Sequence, residues 1–148
     1  MSLNAKIDQD LRAAMTARDA AKLSTLRFLK SALKYAAIEK KEQTLSDPDT
    51  RQVIQKQIKQ RRESIDQFSK GGRMDLVEKE KTELAVLEGY LPAQLSDKEL
   101  EGIVTAAVKE AGAGGKKDFG RMMKHLSEKL AGGADNKRLS EILGGLLK

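Results

Sequence analysis

The sequence predicts an all-α protein, with an N-terminal part of four helices followed by a small three-helix C-terminal domain. Three observations carry this. Apolar residues recur every three to four positions through nearly all of the 148 residues, the spacing of one helix face. No segment sustains the period-two alternation of a strand, and β-branched residues are scattered. Glycine, proline and capping side chains fall where each periodic stretch stops.

Leu3, Ile7, Leu11 and Met15 define a first helix of residues 3–17. Asp19 can cap a second, 20–41, with Leu26, Leu29, Leu33, Ala36 and Ala37 on one face. The connection is so short that the two should form an antiparallel hairpin. Residues 42–47 read as a loop. Ser46 or Asp47 can cap a third helix, 48–70, with Pro48 in the first turn, where a missing N–H is harmless. Its stripe is Ile54, Ile58, Ile65 and Phe68, and Gly71-Gly72 ends it. A fourth helix, 73–89, presents Leu76, Val77, Leu84 and Leu87. Pro92 then redirects the chain, which places a domain boundary between 1–92 and 93–148. Ser96 and Glu99 form a capping box for a fifth helix, 97–111, bearing Leu100, Ile103, Val104, Ala107 and Val108. A sixth, 117–131, uses Phe119, Met122, Met123, Leu126 and Leu130. Asp135 caps a seventh, 136–147, with Leu139, Ile142, Leu143 and Leu146.

Composition removes several chemistries. Without cysteine there is no disulfide framework, thiolate metal site or cysteine nucleophile. His125 is the single histidine and has no acidic residue four positions away, so no metal or acid–base site is expected around it. No apolar run reaches the ~18 residues of a membrane span, and the opening Met-Ser-Leu-Asn-Ala-Lys lacks an apolar signal segment. The expectation is a cytoplasmic protein without membrane, metal or cofactor.

The net charge is +6 and unevenly spread. Lys22 to Lys41 contains six basic residues and one acidic; Arg51 to Arg62 contains five basic and none acidic. Asp75 to Glu88 reverses the balance, with five acidic and two basic. Arg27, Lys30 and Lys34 line up along the second helix, continued by Lys41, and Lys59 and Arg62 extend the basic surface onto the third. Such a row is either a solvated face or a footprint for RNA phosphates. Tyr35 offers one stacking surface, so recognition would rest on shape and phosphate. Lys116 and Lys117 follow a glycine-rich turn and precede a helix, where they either form a linker or bind a phosphate. Arg61 falls among Ile54, Ile58, Ile65 and Phe68 on the helical wheel. It therefore either bridges to a carboxylate of the fourth helix (Glu80, Glu83 or Glu88) or reads an anion in a cleft.

Several stretches resemble the YqeY family: Leu23 to Lys34, Lys59-Gln60-Arg61-Arg62-Glu63-Ser64, Gly72 to Glu80, Leu87 to Leu95, and Lys117 to Met123. The last third also resembles the tail domain of the B subunit of glutamine-dependent aminoacyl-tRNA amidotransferases. The resemblance implies a two-part helical protein, tRNA-related and accessory, with tRNA or a tRNA-handling enzyme as partner. It also carries the family label of a carbon–nitrogen ligase with glutamine as amide donor. The residues do not supply that chemistry. No phosphate-binding Gly-x-x-x-x-Gly-Lys-Ser/Thr loop and no Gly/Ser-rich amidase stretch occurs, so no catalytic residue is assigned and activity by the chain alone is not expected. The alternatives are a helical protein-interaction module with no nucleic-acid partner, or a non-autonomous amidotransferase component.

Overall fold

A computed structural model describes residues 2–147. They form seven α-helices and no strand: α1 (Leu3–Ala17), α2 (Ala20–Glu39), α3 (Asp47–Lys70), α4 (Met74–Glu88), α5 (Asp97–Ala111), α6 (Phe119–Leu130) and α7 (Asn136–Leu146). The all-α class read from the periodicity is the observed one. The chain forms two compact units, which meet in sequence between Leu91 and Pro92.

In the first unit each early helix starts on a side-chain acceptor. Ser2 accepts from the Ala5 N–H, Asp19 from Lys22 and Ser46 from Asp49, each taking one of the orphan donors of a first turn. Arg18 then adopts a left-handed conformation, φ 55°, which lets α1 turn straight into α2. The core is Ile7 from α1, Leu26, Leu29, Leu33 and Ala37 from α2, Ile54 and Ile58 from α3, and Leu87 from α4, with Leu45 from the loop. A buried amide fixes that loop. Asn4 donates to the Leu45 carbonyl at 3.1 Å and to Thr50 Oγ1 at 2.7 Å, and the Thr50 hydroxyl donates to the Ser46 carbonyl at 2.8 Å. The Leu3 N–H reaches the Asp47 carboxylate at 3.0 Å, so the starts of α1 and α3 are tied together.

Three details differ from the periodic reading. The second helix ends at Glu39, and Lys41 is left-handed, φ 57°. Met15 is more than half exposed, because α1 is covered only as far as Ala14. Ile65 and Phe68 are half-buried, so the stripe of α3 is dry only around Ile54 and Ile58.

The second unit is closed by its own contacts. Ser96 and Glu99 complete the capping box of α5. Leu95 donates its N–H to the Gly133 carbonyl at 2.8 Å, and the Gln94 amide reaches the Gly132 carbonyl at 2.8 Å. Arg138 on α7 holds the Leu95 carbonyl at 3.1 Å and pairs with Asp97. The entry segment is thereby clipped to the turn between α6 and α7. Gly133 suits that turn, since a Cβ would lie a tight 3.1 Å from the Leu130 carbonyl. A one-turn 3-10 segment, Lys116–Asp118, precedes α6 where one longer helix is expected from sequence. The core comprises Leu100, Val104, Ala107, Met122, Leu126, Leu139 and Leu143 among others.

Two outcomes are expected. A fragment starting at Ala93 should unfold cooperatively by circular dichroism, since caps, core and clips lie within it; a non-cooperative melt would show that it needs the first ninety residues. Tyr90 donates to Asp10 at 2.6 Å, and burial, then that carboxylate, raise its phenol well above the ordinary 10.0. The folded state therefore keeps a proton that the unfolded chain loses near pH 10, so the contribution is complete below that pH and lost as pH rises beyond it. Tyr90→Phe should cost about 1 kcal/mol at neutral pH and flatten the alkaline loss; an unchanged alkaline profile would remove this group as its cause.

Candidate functional site

The α2 helix positions the site by its phase. Leu26, Leu29, Leu33 and Ala37 take the buried face, so residues on the opposite side must face solvent. Arg27, Phe28, Ser31, Lys34, Tyr35 and Ile38 are all exposed there. Phe28 is 60% exposed and Tyr35 68%. They stand seven residues apart, two helical turns, on one side of the helix. Neither Arg27 nor Lys34 pairs with a carboxylate among the described residues.

Lys30 differs from its neighbours in the basic row. Its phase turns it toward α1, where its ammonium pairs with Asp8 at 2.6 Å and is only one-quarter exposed. On α3, Lys59 is exposed and carries no ion pair among the described residues, whereas Arg62 pairs with Glu88 at 3.0 Å. Of the cations singled out on α2 and α3, Arg27, Lys34 and Lys59 are therefore exposed and without an ion pair among the described residues, with Lys41 beyond the end of α2.

Arg61 lies between α3 and α4. Its Nη1 donates to Glu80 at 3.1 Å and also to Glu83, and its guanidinium carbon is 6.0 Å from the centre of the Phe28 ring. The arginine side chain is 13% exposed and that of Glu83 8%. The same group lines an open cleft between α2, α3 and α4, so it is both an interhelical bridge and a cleft wall.

The other sequence candidates lie in the second unit. Lys116 and Lys117 are exposed on the 3-10 turn without an ion pair among the described residues, and the adjacent Asp118 pairs with Arg121 at 3.2 Å. The Gly114 N–H, then Arg121 and Lys117, hold the Asp118 carboxyl below its ordinary range, so it is ionised at neutral pH. His125 is exposed. The same unit carries an apolar groove of about 740 Å³, floored by Leu95, Ile103, Ala106 and Leu130, with Lys98 and Lys129 on its edge. That groove was not legible in advance, because it depends on how the entry segment is clipped against the α6–α7 turn. Among the described residues no three histidine, cysteine or acidic side chains gather as a metal would need.

Phe28 is the residue the sequence reading passed over. The signal was available: it sits off the stripe defined by Leu26, Leu29 and Leu33, so its ring has no core to enter.

Arg61→Ala should destabilise the protein by about 3 kcal/mol, because Glu83 is left buried without a counter-charge. Arg61→Met combined with Glu83→Met should recover much of that loss. A change within ~0.5 kcal/mol for the single variant, typical of surface positions, would show that the bridge is not structural.

Comparison with known proteins gives the family. The family model described as Yqey-like protein matches residues 4–147. Curated relatives include the protein named altered inheritance of mitochondria protein 41, mitochondrial, of Eremothecium gossypii, 39% identical over 89 residues, covering 60% of this chain and 49% of the relative. The protein of the same name in Kluyveromyces lactis is 40% identical over 89 residues, covering 60% and 48%. That of Pyrenophora tritici-repentis is 31% identical over 147 residues, covering 94% and 80%. This chain spans about half the length of the first two. The expectation of a cytoplasmic protein, drawn from composition and the opening residues, is overturned by these relatives, which are named as mitochondrial. Their names carry no amidotransferase or tRNA-binding term. The match across residues 4–147 settles the grouping that the residue stretches suggested: the chain belongs to the YqeY-like family.

Proposed function

We propose that this protein is a tRNA-related accessory module whose first unit holds RNA on the solvent face of α2. The observation that supports this most is the pairing, on that face, of two unpaired cations with two exposed aromatic rings: Arg27 and Lys34 beside Phe28 and Tyr35. Phosphates need cations that are not already neutralised, and unstacked bases need a flat apolar surface. Lys59 on α3 is a further exposed cation of the same unit. Lys30 contributes to folding instead, through Asp8. With both rings exposed, the reading widens from phosphate contact alone to phosphate contact plus stacking.

A second reading has its own observation. The apolar groove between Leu95, Ile103 and Leu130 is the kind of surface that takes a partner helix, as a protein-interaction module or an amidotransferase component would.

The test uses Arg27→Glu combined with Lys34→Glu, which leaves Leu26, Leu29 and Leu33 packed and spares the Lys30–Asp8 pair. The melting temperature should hardly move. The affinity for tRNA should fall, and the slope of log K against log salt should shrink by roughly 0.7–0.9 for each phosphate that is no longer neutralised. An acidic polymer of matched length controls for plain charge attraction. Unchanged tRNA binding by the double variant, or equal binding of tRNA and polymer by the parent, would overturn the RNA reading and favour the groove.

A further inference from the structure

The groove of about 740 Å³ lies wholly within the second unit and is open to solvent. The entry segment bounds it with Ala93 and Leu95, α5 with Gly102, Ile103 and Ala106, and the end of α6 with Leu130. Leu95, Ile103 and Leu130 pack against the core of the unit and are only half-buried. Each therefore holds an apolar flank fixed in water. Gly102 and Ala106 are one turn apart on the exposed side of α5, and a Cβ on Gly102 would meet nothing within 4 Å. Small side chains there leave room for another helix at the ~8–10 Å of close helix packing.

The charges on the border have a bias. Lys98 and Lys129 line the groove, are exposed, and carry no ion pair among the described residues. Glu99 lines it too, but its carboxylate accepts the Ser96 N–H at 3.2 Å as half of the capping box. Two cations without partners thus stand against one carboxylate that is turned onto the start of α5. The border favours an anionic neighbour.

The walls narrow the class of occupant. No strand occurs among the described residues, so there is no sheet edge for an extended peptide to join. A single acyl chain would stay partly wet in an open groove, whereas small-molecule sites enclose most of their ligand. A helix buries one face and keeps the other in water. We propose that this groove docks an amphipathic helix of a partner protein whose apolar face is bordered by acidic residues. Its apolar side chains pack on Leu95, Ile103 and Leu130, and its carboxylates meet Lys98 and Lys129. The inference deepens the reading of the groove as a docking surface and rests on it; it does not depend on RNA contact at α2.

The test is fluorescence anisotropy on the full chain with two synthetic helical peptides. Both carry leucines at i, i+3, i+4 and i+7; one has glutamates beside that stripe and the other lysines. The acidic peptide should bind roughly tenfold more tightly at low salt, and the margin should shrink as salt is added. The net charge of +6 attracts any acidic peptide, so two variants localise the effect. Gly102→Leu puts a side chain into the groove where a Cβ meets nothing, and leucine favours a helix over glycine. It should weaken the acidic peptide by roughly tenfold without lowering the melting temperature. Lys98→Glu combined with Lys129→Glu should reverse the preference between the peptides. Equal binding of the two peptides, or a preference that survives the double variant, overturns the acidic partner; if Gly102→Leu still weakens binding, the groove remains a docking surface. Acidic-peptide binding that Gly102→Leu leaves unchanged, or no binding of either peptide, overturns the docking surface as well. Dodecanoate is the rival probe: its binding to the parent and not to Gly102→Leu, with no binding of the acidic peptide, would assign the groove to a lipid chain and overturn the proposal.

Discussion

Arg61 lies one turn beyond the buried Ile58 on α3, and its side chain is largely withdrawn from water where α3 packs against α4. A guanidinium there must be answered by carboxylates held at bonding distance, and Glu80 and Glu83 are one helical turn apart on α4, where both reach the same nitrogen. That requirement fixes the register of α4 along α3. It also explains the charge asymmetry between the helices: the five cations from Arg51 to Arg62 are followed by an acidic helix because one of them is buried against it. Arg62 adds an outer pair with Glu88. A cleft opens beside this bridge, with Phe28 of α2 among the residues that line it.

The fold was legible because its determinants are local. The spacing of Ile54 and Ile58, of Leu100 and Val104, and of Leu139 and Leu143 sets which faces turn inward, and Ser96 with Glu99 marks a helix start from sequence alone. Arg61 announced itself by standing in an apolar stripe. What was not legible depends on pairings across long sequence separation. Nothing in the row Arg27, Lys30, Lys34 shows that the middle cation is turned toward Asp8 of another helix. The Asn4–Leu45–Thr50 contacts and the clip of Leu95 onto Gly133 likewise need the folded chain. Phe28 reads as a core residue by type and as a surface residue by phase, and phase prevailed.

The two units solve the same problem by different means. The first buries polar groups, Asn4, Thr25, Thr50, Gln57 and Glu83, and so depends on geometry to satisfy them. The core of the second is apolar throughout, with its polar ties confined to the entry segment and the α6–α7 turn. A unit with buried polar groups and a lined cleft is suited to reading a polar ligand. A unit with a dry core and an apolar groove is suited to holding an apolar one. On this division the proposed nucleic-acid contact falls to the first unit, and the family membership bears on the whole chain without assigning a task to either part.

The most direct test of that placement is a titration of tRNA into isotope-labelled protein, followed by chemical-shift changes at each residue. The account predicts the largest changes along the exposed face of α2, at Arg27, Phe28, Lys34 and Tyr35. Changes confined to residues 95–133, or spread evenly over exposed lysines of both units, would contradict it.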